Sequence, residues 1–274
     1  MEKLTFYKMS GSGNDFIIID NRNAVVREEH LIDFITNVCR RKMSVGADGV
    51  ILLENSDTVD FKWRFYNSDG SVAEMCGNGA RCVSRFAYLN AVAGPALSFE
   101  TDAGIVSAQI KNDRVKIKMT DPADFLTDCT IQLAAGPVSV CSINTGVPHV
   151  IVEVDDLDAV DVVGMGREIR YHDRYSPAGT NVNFISPQNG GAFEIRTYER
   201  GVEDETLACG TGAVAGAIVA AHKVGAKSPV TVVPRSGEPL FIYYKITDDT
   251  FSDVYLEGDA RIIYKGELWE DAWQ

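Results

Sequence analysis

Two short stretches hold the residue types that could do chemistry: Met75–Cys82, "MCGNGARC", and Ala208–Ala213, "ACGTGA". Each puts a cysteine directly before Gly-x-Gly at the head of a segment that reads as a helix. The first turn of a helix has N–H groups without intrahelical partners and lies at the positive end of the dipole. A thiol placed there has its pKa lowered from about 8.5 towards neutrality and can act as a thiolate base. The same N–H groups bind an anion such as a carboxylate, and glycine lets it approach closely. One such stretch reads as ordinary packing of a small apolar residue. Two, at matched places in one chain, point to paired chemistry. With both helix starts aimed at one α-carbon, one thiolate removes its proton and the opposite thiol delivers another to the other face. The helix-end donors stabilise the charge that moves onto the carboxylate. This scheme needs no cofactor, and no lysine stands in a recognisable pyridoxal-phosphate setting. Two other classes also fit the cysteines: a redox switch that joins Cys76 to Cys209, and a small-molecule binding protein whose thiols are incidental.

The elements that would position these residues occur twice. In the first half, "KLTFYKM" and "FIIID" read as strands around "SGSGN", followed by a helix, "REEHLIDFITNVCRRK", and more strands. After Cys76, "GNGARCVSRFAYLNAV" reads as a helix with Ala80, Val83 and Ala87 on one face and Arg81 and Arg85 on another. "ALSFET", "GIVSAQI" and "VKIKM" then read as strands. In the second half, "VSVCSI" and "VIVEV" flank "NTGVPH", and "GTGAVAGAIVAAHKVG" is apolar almost all round, which predicts a buried central helix. "VTVV", "LFIYYKI" and "VYLEG" follow as strands. Gly11 and Gly146 lie 135 positions apart, Gly46 and Gly179 133, Arg64 and Arg196 132, Cys76 and Cys209 133. Such near-constant offsets indicate a duplicated unit. Carried along the chain, they equate Asn14 with His149, Asp48 with Asn181, and Asn67 with Glu199. Only the cysteines match in type, which suits a substrate with one reacting centre and a long arm to one side. The division predicted is a domain over 1–121, a second over 122–261 with "DPADF" near Asp121 as linker, and a tail, 262–274, that returns to the first domain as a strand.

With 274 residues, the chain has room for two modest domains with sizeable cores. Its net charge of −13 argues against a nucleic-acid surface and a polybasic membrane patch. The start, "MEKLTFYKMS", lacks a basic segment followed by an apolar run, and no apolar run reaches about 18 residues. A cytoplasmic protein is expected. Six cysteines are too sparse for a disulfide scaffold, and none forms a C-x-x-C pair. Cys76 and Cys82 have no matching Cys/His pair elsewhere, so no metal site is expected. Cys39, Cys129, Cys141, His30, His172 and His222 read as structural or surface residues.

Taken together, "GSGNDF", "GADG", "NSDGS", "MCGNGARC", "GTNVNF" and "YERGVEDETLACGTG" resemble the diaminopimelate epimerases, cofactor-independent two-thiol enzymes of lysine and peptidoglycan-precursor synthesis. The resemblance covers essentially the whole chain. It implies an α/β (α+β) fold of two homologous domains related by a pseudo-two-fold, each a mostly antiparallel sheet wrapped around a central helix, with the active site in the interdomain cleft. It implies LL- and meso-2,6-diaminopimelate as the substrate pair, with another cofactor-independent amino-acid racemase of the same family as the alternative. By this resemblance Cys76 and Cys209 are the acid/base pair. Gly77, Asn78, Gly210 and Thr211 supply donors to the reacting carboxylate. Asn14, Asn67, Asn181, Glu199 and Arg200 line the rest, Arg200 pairing with the distal carboxylate. His149 and Glu199 tune the thiols. Homodimers are common in the family, so a dimer is expected. Read alone, Asn14 and Asn67 suit turns, His149 a satisfied loop histidine, and Glu199-Arg200 a solvated pair. One departure stands out: many members have Gly-Asn-Pro-His where this chain has Gly146-Val147-Pro148-His149. Val147 cannot donate the amide contact expected there, which leaves Asn144 or Thr145 to substitute.

Overall fold

The computed structural model describes residues 3–73 and 75–273; the end of the expected tail, residue 274, lies outside them. The chain forms two compact units, 1–117 with 259–274, and 118–258.

In chain order the first unit contains β1 (Leu4–Gly11), β2 (Asn14–Asp20), α1 (Leu31–Val38), β3 (Gly49–Glu54), β4 (Phe61–Asn67), α2 (Gly77–Leu89), β5 (Ala96–Thr101), β6 (Gly104–Lys111) and β7 (Arg114–Lys118). The second contains β8 (Ala123–Leu133), β9 (Gly136–Asn144), β10 (Pro148–Glu153), α3 (Val162–Arg170), β11 (Asn181–Pro187), β12 (Phe193–Glu199), β13 (Asp204–Thr206), α4 (Gly210–Val224), β14 (Val230–Val233), β15 (Leu240–Thr247) and β16 (Thr250–Asp259). The chain then adds β17 (Arg261–Leu268) to the first unit, antiparallel to β1.

Both units are mostly antiparallel, with parallel pairs at β2–β3 and β4–β5 in one and at β10–β11 and β12–β14 in the other. Helix α2 packs against β1, β2, β3 and β6, and α4 against β9 to β12, β14 and β15. Each is therefore wrapped by the strands of its own unit. On the opposite face of the first sheet, Phe34, Ile35 and Val38 of α1 meet Ile17, Ile19, Val50 and Leu52. In the second unit Val162 and Ile169 of α3 meet Val150, Val152, Val182 and Phe184. Strand residues thus alternate, one set facing the central helix and the next the outer helix. No helix among the described residues is long and apolar enough to cross a membrane.

Four readings of the sequence need correction. Arg81 does not lie on a polar face; it is fully buried, because the sheet encloses α2 on nearly all sides. The helix read over 27–42 is α1 alone, preceded by a 3₁₀ turn at Glu28–His30 and followed by a turn in which Lys42 is left-handed at φ 70°. "DPADF" is not a free linker, since β8 begins at Ala123; Asp124 and Asp128 sit at φ 52° and 53°, the register with β9 shifts around them, and these bulges break the period-2 pattern that marks a strand. The repeat alignment also changes. Tyr66 opposes Val50, and Tyr198 opposes Val182. That equates Gly49 with Asn181 and, through Phe16 opposite Gly49 and His149 opposite Asn181, Phe16 with His149. Asn14 then matches Val147. The left-handed glycine equivalent to Gly146 (φ 107°) is Gly13 (φ 89°), not Gly11. Matching the wrong glycine moved the alignment two residues.

The returning strand ends on Leu268, which is buried in the core formed with Phe6, Phe34 and Leu31. Leu268→Ala should cost about 2–5 kcal/mol in denaturant unfolding. Ile263→Ala, at an exposed position of the same strand, should stay within about 0.5 kcal/mol. Equal effects would mean that the tail adds nothing to the core.

Candidate active site

Cys76 is the N-cap of α2, with extended backbone at φ −146° and ψ 116°. Its Sγ accepts from the Gly79 N–H at 3.5 Å and donates to Asn14 Oδ1 at 3.5 Å. The Asn14 amide is oriented from its other end, where Nδ2 donates to Asp48 Oδ2 at 2.7 Å. Asp48 is held in turn by Arg41, which also binds Asp15. Burial pushes the Asp15 carboxyl up, but hydrogen bonds from Arg41 and Lys8 outweigh it and hold the group below the usual carboxylate range. Asn78 Nδ2 also points to Asn14 Oδ1, at 3.5 Å, while Asn78 Oδ1 accepts from Arg81 Nη2 at 3.1 Å. The Arg81 guanidinium further donates to Ser12 Oγ at 2.8 Å and to the Asp259 carbonyl at 3.0 Å. A buried cation thus ties the first turn of α2 to the β1–β2 turn and to the returning segment.

Cys209 is the N-cap of α4 and is nearly buried; its Sγ lies 3.4 Å from Thr211 Oγ1. Thr145 donates its hydroxyl to the Thr211 carbonyl at 3.0 Å, which pins the β9–β10 turn to the helix start. Below the helix start lies a buried polar group. His149 Nδ1 faces Asn183 Nδ2 at 3.0 Å, Asn183 Nδ2 reaches the Val150 carbonyl at 3.1 Å, and Thr197 Oγ1 donates to Asn183 Oδ1 at 2.9 Å. Burial pushes the His149 imidazole down to about 3, and the Arg200 charge adds to this, so the ring is neutral. Burial pushes the Glu199 carboxyl up. Asn181 accepts from the Arg200 N–H at 2.8 Å and donates to the Pro148 carbonyl at 3.3 Å.

The corrected alignment shows what the glycines do. Gly79 and Gly212 are equivalent, and each leaves room for strand side chains to rise against the helix start. A Cβ on Gly79 would stand 3.2 Å from Ile51 Cδ1 and 3.6 Å from both Phe16 and Cys76. One on Gly212 would collide with Asn183 Oδ1. Ile51 opposes Phe65 on β3–β4, as Asn183 opposes Thr197 on β11–β12. Phe16, Ile51 and Phe65 therefore occupy the places that His149, Asn183 and Thr197 occupy in the second unit. The floor beneath Cys76 is apolar, and that beneath Cys209 is hydrogen-bonded.

In the first unit the structure brings Asn14, Cys76, Gly77 and Asn78 together. In the second it places Thr211 with Cys209, and Asn181 with Arg200. Asn67 is different: its Nδ2 donates to Ser71 Oγ at 3.0 Å inside its own turn. Thr145 is fully buried and committed to Thr211, so it does not replace the missing amide at Val147; Asn144 Oδ1 caps the Gly146 N–H at 3.0 Å. Burial pushes the thiols of Cys39, to about 12, and Cys82 and Cys141 upward, as suits packing residues. Sequence reasoning missed Arg81, Asn183 and Thr197. A polar residue at a helix-facing strand position, as in "NVNF", was the available signal for Asn183.

The two glycines should respond unequally. Gly79→Ala should be near neutral, because a terminal methyl of Ile51 can yield and alanine favours the helix by about 1 kcal/mol. Gly212→Ala should cost more than about 2 kcal/mol, because the Asn183 amide is pinned on both sides. Denaturant titration of both variants checks this, and equal costs would contradict the packing described.

A sequence model of the family described as "Diaminopimelate epimerase" matches residues 6–126 and 141–263. The diaminopimelate epimerase of Aquifex aeolicus (strain VF5) is 45% identical, over 98% of this chain and 99% of that protein. That of Methanocella arvoryzae (strain DSM 22066 / NBRC 105507 / MRE50) is 42% identical, over 98% of each. Among solved structures, a PhzF-family phenazine biosynthesis protein from Bacillus anthracis aligns with a TM-score of 0.74 at 15% identity, covering 98% of this chain and 100% of that one. A probable proline racemase from Agrobacterium radiobacter K84 aligns at 0.71 and 13% identity, covering 97% of this chain and 93% of that one. These two show a shared fold. The full-length similarity to the epimerases shows more: this chain belongs to the diaminopimelate epimerase family.

Proposed function

We propose that this protein interconverts LL- and meso-2,6-diaminopimelate without a cofactor, Cys76 and Cys209 serving opposite faces of one α-carbon. The observation that carries the reading is the position of the two cysteines: each caps the central helix of its unit, at equivalent places in a duplicated fold. One thiolate takes the α-proton while the other thiol protonates the opposite face. The N–H groups of the helix starts, including those of Gly77, Asn78, Gly210 and Thr211, stabilise the charge that develops on the carboxylate. Asn14 orients the Cys76 thiol. Glu199 and Asn67 line the site, and Arg200, held at its backbone by Asn181, takes the distal carboxylate. The reaction belongs to lysine and peptidoglycan-precursor synthesis. In keeping with the family, the protein works in the cytoplasm as a homodimer, which sedimentation of the purified chain checks.

The direct assay supplies LL-diaminopimelate under reducing conditions and follows the meso form by chiral chromatography. Turnover without added cofactor supports the reading; far better turnover of proline or another amino acid overturns the substrate. The division of labour has its own test. Cys76→Ala and Cys209→Ala should each lower epimerisation by about 10²–10⁴-fold. A substrate with a β-leaving group needs only the first proton removed before it eliminates. Each variant should therefore still eliminate from one α-configuration of a β-halogenated analogue, and the two variants should prefer opposite configurations. A shared preference would mean that one base serves both faces.

A further inference from the structure

His149 and Asn183 are both buried, at 1% and 0% exposure, and the mechanism above gives Asn183 no part. The amide of Asn183 has one possible orientation. The Val150 carbonyl can only accept, so it fixes the nitrogen side at 3.1 Å. Thr197 Oγ1 donates to the oxygen side at 2.9 Å. The nitrogen has two hydrogens; one goes to Val150 and the other to His149 Nδ1 at 3.0 Å. Because that nitrogen cannot accept, Nδ1 of the imidazole must, and the ring proton of a neutral imidazole is then on Nε2. Nε2 is buried and has no hydrogen-bond partner among the described residues. Arg200 is the charged side chain that acts on the ring, and its sign disfavours a second proton.

We infer that Asn183 and Thr197 are positioning residues that lock His149 in its neutral Nε2–H form, so that the imidazole offers a hydrogen-bond donor, not an acceptor, at Nε2. Gly212 belongs to the same device, since the space left by its missing side chain is where Asn183 Oδ1 lies. The first unit has no such device: its equivalents, Phe16, Ile51 and Phe65, are all apolar. The part of His149 in turnover rests on the proposed function, but the assignment of the ring proton does not.

The test is long-range ¹H–¹⁵N correlation on the full chain labelled with ¹⁵N-histidine, without substrate. The signals of His149 are assigned by removing His30, His172 and His222 one at a time. Wild-type His149 should show a bare Nδ1 and a protonated Nε2, unchanged from about pH 8 to about pH 5, across the ordinary histidine range. Asn183→Asp puts a carboxylate where the amide nitrogen stood, so the ring proton should move to Nδ1 or the ring should become cationic. Wild-type His149 with its proton on Nδ1, or cationic at neutral pH, overturns the proposal whether or not the variant folds. So does a folded Asn183→Asp protein with an unaltered ring. These outcomes need no turnover, so failure of the epimerase assay and failure of the tautomer assignment are told apart.

Discussion

The close approach of each central helix start to its own sheet is the constraint on which the rest depends. A helix normally stands off a sheet by the length of its side chains. Here Gly79 and Gly212 have none, and residues of the neighbouring strands fill the space directly behind the N-cap cysteines. The cysteine then sits at the first turn of the helix, backed by the strand side chains that form its floor. The Gly-x-Gly after each cysteine therefore does two jobs. Its first glycine leaves the first-turn N–H groups uncovered by a side chain, and its second lets the strand side chains approach the helix start closely.

Duplication supplied two equivalent floors, and the two sequences have filled them with opposite chemistry. Under Cys76 the floor is Phe16, Ile51 and Phe65, with Phe16 and Phe65 in edge-to-face contact at 5.7 Å. Its polar control comes from the side and from within the helix, through Asn14 and the buried Arg81. Under Cys209 the floor itself is polar, and α4 carries Val214 at the place equivalent to Arg81. A cation near one thiol and a neutral histidine in the floor of the other unit make the two helix starts electrostatically unlike, although their backbones match.

Much of this was legible in the sequence because it rests on local signals. The cysteines, the glycines after them and the all-apolar "GTGAVAGAIVAAHKVG" are each visible within one turn of helix, and the duplication shows in their spacing. The parts that were not legible depend on register. A constant offset cannot see that the second unit has one residue fewer between Gly179 and Asn181 than the first has between Gly46 and Gly49. Since side chains alternate along a strand, such a slip changes which residue faces the helix. That slip left Asn183 without its true counterpart, Ile51, while the separate choice of Gly11 rather than Gly13 as the partner of Gly146 equated Asn14 with His149. Arg81 was misread for another reason: helical periodicity divides a surface helix into faces, and α2 has almost no exposed face to assign. Asn67 shows a further limit, since the motif that suggested a substrate contact is equally the motif of the turn in which its amide is engaged.

The central claim is that two separate thiols handle the two faces of one carbon, and hydrogen origin tests it most directly. LL-diaminopimelate is converted in deuterated water, and both substrate and product are recovered while little of the substrate has reacted. With two bases, the deuterated thiol labels the new face while the abstracted hydrogen remains on the other sulfur. The account predicts meso product carrying one solvent deuterium at the inverted carbon, and recovered LL substrate with none. Meso product that retains the original hydrogen, or substrate labelled as fast as product, would contradict it.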